Sequence, residues 1–264
     1  MLWKPPCCGA TRPPGSIAFN IWRAPTDNDR TIRLKWQEYG YNRMASDLRS
    51  LEILVSSETE AVIRAQYRIA AEAQPVLADL TVEYHFQSGQ GVSVHYDFVR
   101  RKPAELTLPR LGVQFAMPKG FEMLRYFGRG PMESYWDKQL ASRVSLFQTT
   151  VTENFEHYPK PQENMAHADT QWLELRNDVG FCLRISGADT TEAFSFNCCH
   201  YTPAQITKTM HDFELEEREE TVVNVDYRQC GIGSNSCGPV LAPEYSLLDS
   251  KYSYTFRLLP LFEQ

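Results

Sequence analysis

The sequence predicts an all-β fold, a large antiparallel β-sandwich with one or two short helices, on three observations. From Leu51 onward apolar residues recur at every second position, the period of a strand rather than of a helix. Gly- and Asn-containing turn signals separate these runs at hairpin distances. A dozen or so candidate strands accompany one well-capped helix, a ratio that cannot alternate into βαβ units and so excludes the barrel and doubly wound α/β classes. What remains is two large antiparallel sheets packed face to face.

In chain order, residues 1–16 hold four Pro and two Cys, show no periodicity and cannot form a helix. We read 1–18 as an extended arm or the remnant of an upstream region, and 19–264 as the sandwich, with no linker and no internal repeat. Residues 21–29, IWRAPTDND, join a bulky aromatic, a helix-blocking Pro and three Asx-type residues that fold back on their own backbone. They describe an ordered, bent, polar loop in which Asp27, Asn28 and Asp29 build Asx turns and cap the helix that follows. Between Thr31 and Gly40, Ile32, Leu34 and Trp36 alternate with polar residues, which fits a short helix closed by Gly40 or a loop segment.

Strands are expected near 52–56 and 61–70. In LTVEYHF, Leu80, Val82, Tyr84 and Phe86 face one way and Thr81, Glu83 and His85 the other. GVSVHYDFV repeats the pattern with Val92, Val94, Tyr96 and Phe98, and the intervening SGQG suits a tight turn, so 80–99 is a hairpin. A second hairpin is LELRNDVGFCLRI, turning at Asn177, Asp178 and Gly180. Further strands are expected near 110–117, 122–127, 193–196, 213–217, 221–227 and 253–259. The helix has Thr202 as N-cap and Pro203 at its first position, followed by AQITKTM.

A chain of 264 residues buries a sizeable core. Its formal charge of −6, with Lys and Arg interspersed among Asp and Glu, lacks the basic stripe of a nucleic-acid binder. No apolar run approaches the ~20 residues of a spanning helix, and MLWKPPCCGA lacks the apolar region of a signal peptide, so no membrane partner is expected. Seven Cys are an odd number and include the neighbours Cys7–Cys8 and Cys198–Cys199, a spacing that suits neither a zinc knuckle nor a closed bridge. Free thiols and a cytoplasmic location follow as expectations. The six His show no metal-ligand spacing.

Glu133 in GRGPMESY and Glu163 in PKPQENM stand out as loop carboxylates, expected to accept hydrogen bonds from backbone N–H groups in their own turns. Tyr126, Phe127, Tyr135 and Trp136 flank the first of these turns and are expected to anchor it to the core. His167 and His200 fall in loops, and either one beside Glu163 would make a proton-transfer pair. Gly231, Gly233 and Gly238 free the backbone of GIGSNSCGP, as a long loop reaching past the sandwich edge requires.

IWRAPTDND (21–29), YFGRGPMESYWD (126–137), YPKPQENM (158–165), TQWLEL (170–175) and GIGSNSCGP (231–239) follow one another in this order. Together, from about Phe19 to the C-terminus, they resemble the C-terminal small domain, or small chain, of bacterial β-galactosidases of glycoside hydrolase family 2. The resemblance implies a supersandwich fold related to galactose mutarotases. It implies a partner, the catalytic portion or large subunit, and a substrate for the whole, a terminal non-reducing β-D-galactoside such as lactose, hydrolysed with retention. Such chemistry needs two carboxyl groups ~5–5.5 Å apart. In the resembled enzymes both are glutamates of a (β/α)8 barrel absent from these residues, so no catalytic residue is expected here, and Glu133, Glu163 and His167 stay as lesser candidates.

In the family, the loop matching GIGSNSCGP enters the active site of the barrel, and its aromatic position corresponds to Cys237, a thiol without the broad face of an indole. The residues after the R-A-P-x-D-N-D motif form a flap there, and read Arg30, Thr31, Ile32 and Arg33 in this chain. The implied rim of the sugar pocket is therefore Cys237, Asn235 and Ser236 with Asp29, Arg30 and Thr31. The resemblance places no cofactor or metal in this chain, allows Mg and Na ions to the whole enzyme, and leaves a homo-oligomer open. The rival readings are an autonomous mutarotase-like aldose epimerase, using His and Glu, and a stand-alone carbohydrate-binding or structural domain.

Overall fold

A computed structural model describes residues 17–189 and 192–262. Most of the expected arm, with Cys7 and Cys8, lies outside the described residues. The strands are β1 (Ala18–Asn20), β2 (Met44–Ser56), β3 (Glu60–Ala71), β4 (Ala78–Gln87), β5 (Gly91–Arg100), β6 (Arg110–Met117) and β7 (Met123–Gly130). They continue with β8 (Arg143–Thr150), β9 (His167–Thr170), β10 (Trp172–Arg176), β11 (Phe181–Gly187), β12 (Phe194–Cys199), β13 (Thr221–Gln229) and β14 (Lys251–Phe262). Two short helices, α1 (Ile32–Glu38) and α2 (Pro203–Lys208), complete the regular structure.

The strands form two antiparallel sheets, a small one ordered β1-β6-β13-β12-β9 and a large one ordered β2-β3-β4-β5-β14-β11-β10-β7-β8. The chain is the β-sandwich its periodicity predicts. Side chains directly opposite on neighbouring strands share a face, and the small sheet shows what each face is for. Val113, Val225 and Phe196 form one cross-strand row and lie in the core shared with the large sheet. The next row, Gln114, Asn224 and Asn197, is polar and points the other way. Rings close the inner interface, Phe19 with Phe98 at 5.6 Å and Tyr126 with Phe196 at 5.2 Å. Every residue of β12 is nonetheless buried, because loops cover the outer face, where Ala24, Phe155, Cys199, Tyr201 and Ile206 make a second apolar cluster.

The 80–99 hairpin is β4–β5, with Gly89 and Gly91 at φ of 72° and 76° in its turn, and the second hairpin is β10–β11. Thr202 and Gln205 cap α2 reciprocally, and the helix ends at Lys208, short of Met210. The segment after Thr31 is helical, so Leu34 faces solvent while Trp36 is buried and donates Nε1–H to the Thr107 carbonyl at 2.9 Å. The strand expected at 213–217 does not form. Backbone N–H groups of Glu214 and Leu215 bond the carbonyls of His211 and Asp212 in a local turn, and Phe213 is exposed, because among the described residues no strand lies alongside to complete a ladder. Three strands went unread. β1 and β9 are too short for a periodic signal, and β8 lies at a sheet edge with apolar residues on both faces.

Candidate functional site

Four of the five sequence motifs converge on one cluster of loops. Pro25 blocks a helix, so the chain bends after Ala24 and turns through a 3-10 segment, Asp27–Arg30. Asp29 caps that turn, accepting the Thr26 N–H at 2.9 Å. Its carboxylate also receives a fork from Arg23, Nη2 to Oδ1 at 2.9 Å and Nε to Oδ2 at 3.2 Å. Both side chains are fully buried. The Arg23 guanidinium has donors to spare: Nη1 donates to the Cys230 carbonyl at 2.6 Å and Nη2 to the Gly231 carbonyl at 3.3 Å. Burial alone would lower the Arg23 pKa, but Asp29 outweighs it and holds the guanidinium charged.

The 231–239 loop is thus tied at its base to the 21–29 loop. Asn28 Nδ2 donates to the Ile232 carbonyl at 2.7 Å. Asp137, which closes the 126–137 motif, accepts the N–H groups of Ile232 at 2.9 Å and Gly233 at 2.8 Å. That carboxylate sits so close that a Cβ on Gly231 would fall 2.5 Å from Asp137 Oδ2. Gly231 therefore serves space rather than backbone freedom, and the left-handed residue of this loop is Asn235, at φ 78°. Asn235 Oδ1 accepts the Leu241 N–H at 2.8 Å and folds the loop back. From the 158–165 motif, Gln162 Oε1 accepts the Asp27 N–H at 2.9 Å, and the Glu163 N–H reaches the Ala24 carbonyl at 3.3 Å. Asp27, Asn28 and Asp29 were expected to cap together; only Asp29 does, while Asn28 and Asp27 reach to other loops.

The rim candidates separate by exposure. Cys237, Arg30 and Thr31 are exposed, and Asn235 and Ser236 are half-buried. Asp29 is buried and belongs to the foundation beneath them.

Glu163 differs from its expectation. Its Oε1 accepts from side chains, Arg110 Nη2 at 3.0 Å, Asn197 Nδ2 at 2.9 Å and Gln229 Nε2 at 3.1 Å, rather than from backbone N–H groups. Arg110 also donates Nε–H to Asp226 Oδ2 at 3.1 Å. One buried guanidinium faces two buried carboxylates. Burial, incompletely offset by Arg110 and reinforced by Glu163, pushes Asp226 up to about 7. Arg110 stays protonated, its burial outweighed by Asp226 and Glu163.

Glu133 is buried too. It accepts the Met165 N–H at 3.1 Å, from a different motif rather than its own turn, and pairs with Lys138. His167 opens strand β9 rather than lying in a loop, while His200 does lie in a loop, and both are buried. His167 bridges the Arg129 carbonyl at 2.9 Å and Asn154 Oδ1 at 2.8 Å; burial, partly opposed by the Arg129 bond, lowers its pKa to about 4. His200 pairs with Glu122 at 2.9 Å. Neither histidine is hydrogen-bonded to Glu163. Tyr126 and Tyr135 are core anchors as expected, whereas Phe127 and Trp136 are half-buried. Among the described residues no three His, Cys, Asp or Glu side chains group as a metal site. Sequence reading missed Arg23, Arg110, Asp137, Asp226 and Gln229. Asp226 had a signal, the lone acid in the mostly apolar run VVNVDY.

Residues 10–258 match the family model described as β-galactosidase small chain. The chain belongs to this family. It is 39% identical over 239 residues to a β-galactosidase of Staphylococcus xylosus and 38% identical over 246 residues to one of Actinobacillus pleuropneumoniae. These alignments cover 90% and 92% of this chain and 23% of each relative, so the small chain in hand spans about a quarter of the curated relatives it matches. Among solved structures, a GalM/aldose epimerase homologue from C. elegans superposes with a TM-score of 0.41 at 10% identity, over 85% of this chain and 70% of that one.

Proposed function

We propose that this chain is the small-chain portion of a glycoside hydrolase family 2 β-galactosidase, packs on the catalytic portion and completes the wall of its sugar pocket. The observation that carries the reading is the tie between the two rim segments. Arg23, Asn28 and Asp137 fix the base of the 231–239 loop to the 26–30 turn, while the tips at Cys237, Arg30 and Thr31 stay exposed. A rigid base with exposed tips suits a wall presented to another body. A second feature favours a large protein partner. The edge strand β2, 13 residues long and with no strand on its outer side among the described residues, exposes Leu48, Leu51, Ile53, Leu54 and Val55. The same edge would serve a homo-oligomer.

In this reading the whole enzyme hydrolyses terminal β-D-galactosides in the cytoplasm by double displacement, with both catalytic carboxyls on the partner and any Mg or Na ions belonging to the whole. Glu163 is committed to the buried Arg110 and Glu133 to the exposed Lys138, pairings that suit structural rather than catalytic carboxylates. The test combines the purified chain with the catalytic portion of the Staphylococcus xylosus relative, expressed without its own matching segment, and assays an aryl β-galactoside. Hydrolysis is expected from the combination and none from the chain alone. Turnover by the chain alone that disappears in Glu133→Gln or Glu163→Gln overturns the proposal.

A further inference from the structure

A cleft of about 640 Å³, within the range of small-molecule sites, opens between the β12–β13 pair of the small sheet and β14 of the large one. Two β-bulges border it. On β13 the pairing with β6 steps from Asp226↔Gly112 to Arg228↔Leu111, which leaves Tyr227 as an extra residue. On β9 the pairing with β12 steps from Thr170↔Phe194 to His167↔Phe196, so that Ala168 and Asp169 together face Ser195, and Asp169 takes a left-handed φ of 49°. A regular strand turns alternate residues to one side, and a bulge re-aims them at the cost of ladder bonds. The outcome here is that Asp226, Tyr227, Arg228 and Gln229 all line the cleft.

The same cleft gathers polar atoms without partners. Buried side-chain polar atoms are nearly always hydrogen-bonded. Yet Asp226 Oδ1, Gln229 Oε1 and the hydroxyls of Tyr135 and Tyr254, all on residues that line this cleft, have no hydrogen-bond partner within the described residues. Asp226 Oδ1 lies 3.1 Å from Arg110 Nε, but that N–H is directed to Oδ2. The opposite ends of these two side chains are held by Arg110 and Glu163, so the unpartnered acceptors are fixed in place. Above them the Arg228 guanidinium stacks 4.2 Å from the Trp136 ring and 5.4 Å from Tyr227.

We infer that this cleft binds a neutral pyranose, either a free hexose or the terminal sugar of a glycoside. Sugar hydroxyls donate to Asp226 Oδ1 and Gln229 Oε1, and the Tyr254 and Tyr135 hydroxyls give or take a hydrogen bond. Arg228 donates to a sugar oxygen, and the Tyr227 and Trp136 rings offer apolar surface to the carbon face. A metal cation fits poorly beside the Arg228 guanidinium, and an anion fits poorly among Asp226, Asp169 and Glu192. The inference concerns this chain alone and uses none of the rim residues, so it stands or falls independently of the proposed assembly.

Titration of the chain with galactose, glucose and lactose, followed by calorimetry and saturation-transfer NMR, tests it, and the three sugars separate a free hexose from a glycoside terminus. Saturable binding of at least one is expected. Tyr254→Phe deletes a hydroxyl that has no partner among the described residues, so it leaves the fold intact and weakens binding by about five- to tenfold. Arg228→Ala weakens it as well, while Phe213→Ser, on an exposed turn outside the cleft, does not. No saturable binding of any of the three, or binding unchanged in both Tyr254→Phe and Arg228→Ala with the circular dichroism of the parent, overturns the inference.

Discussion

Asn28 Nδ2 donates a 2.7 Å hydrogen bond to the carbonyl of Ile232, a residue 204 positions further along the chain. With the Arg23–Asp29 fork beside it, this bond makes one unit of two loops from opposite ends of the sequence. A side-chain amide on a backbone carbonyl fixes the path of the loop whatever residues occupy its tip. The base is therefore the part least able to vary, and the tip is free to carry a thiol.

Asp29→Ala is expected to destabilise the chain by about 3–5 kcal/mol, because it leaves the buried Arg23 guanidinium uncompensated. Arg23→Lys does not preserve stability, since an ammonium cannot make the fork to Asp29 and reach the carbonyls of Cys230 and Gly231 together. Urea denaturation midpoints measure both. A loss below about 1 kcal/mol for Asp29→Ala would mean that the pair is no more than a surface bridge in energy.

The thiols should divide by accessibility. Cys182, Cys198, Cys199 and Cys230 are buried and Cys237 is exposed. Burial pushes Cys199 and Cys230 up to about 12, which further suppresses thiolate chemistry. In the native chain an aromatic disulfide reagent should label Cys237 promptly and these four only on unfolding, and Cys237→Ser should remove the prompt label at that site. Denatured but unreduced protein should titrate for nearly all seven Cys; three or fewer would reveal disulfides.

Cys237→Trp separates a pocket wall from a mere turn. In the assembled enzyme an indole at this exposed position adds an apolar face, worth on the order of 1 kcal/mol of sugar binding at ~25 cal/mol per Å². KM should fall, and the melting temperature should hold, since no packed core receives the ring. Unchanged KM with a lower melting temperature would remove this loop from the sugar pocket.

His167 and Asp226 should tilt stability with pH in opposite directions. His167 has an ordinary pKa of 6.5 and titrates at about 4 when folded. Between these values the unfolded chain binds the extra proton, so its share of stability is complete above 6.5 and is lost as pH falls toward 4. Asp226 moves from 3.8 to about 7 on folding, so the folded chain holds the extra proton and this share is lost as pH rises from 3.8 to 7. Relative to the parent, His167→Gln should steepen the decline of stability with rising pH between 4 and 6.5, and Asp226→Asn should reverse part of it. Parallel curves for parent and His167→Gln would place the histidine's titration at its ordinary value.

By itself the sequence determined the class of fold, both hairpins, the capped start of α2 and the order of five motifs. These are local properties: alternation at Leu80–Phe86 and Val92–Phe98, glycines in a two-strand turn, and a Thr-Pro pair before a helical run all act within a few residues of chain. Tertiary structure alone decided the rest. FELEE alternates like a strand at 213–217 but finds no ladder partner, while the short β9 borrows its existence from β12. Glu163 reads as a loop carboxylate until Arg110, Asn197 and Gln229, from three different strands, are brought around it. The cleft exists because bulges on two separate strands fall beside each other, and a bulge is defined only against the register of its neighbour. Periodicity records which face of a strand is apolar; which polar groups meet beneath a loop depends on contacts across more than a hundred residues, and no local pattern encodes those.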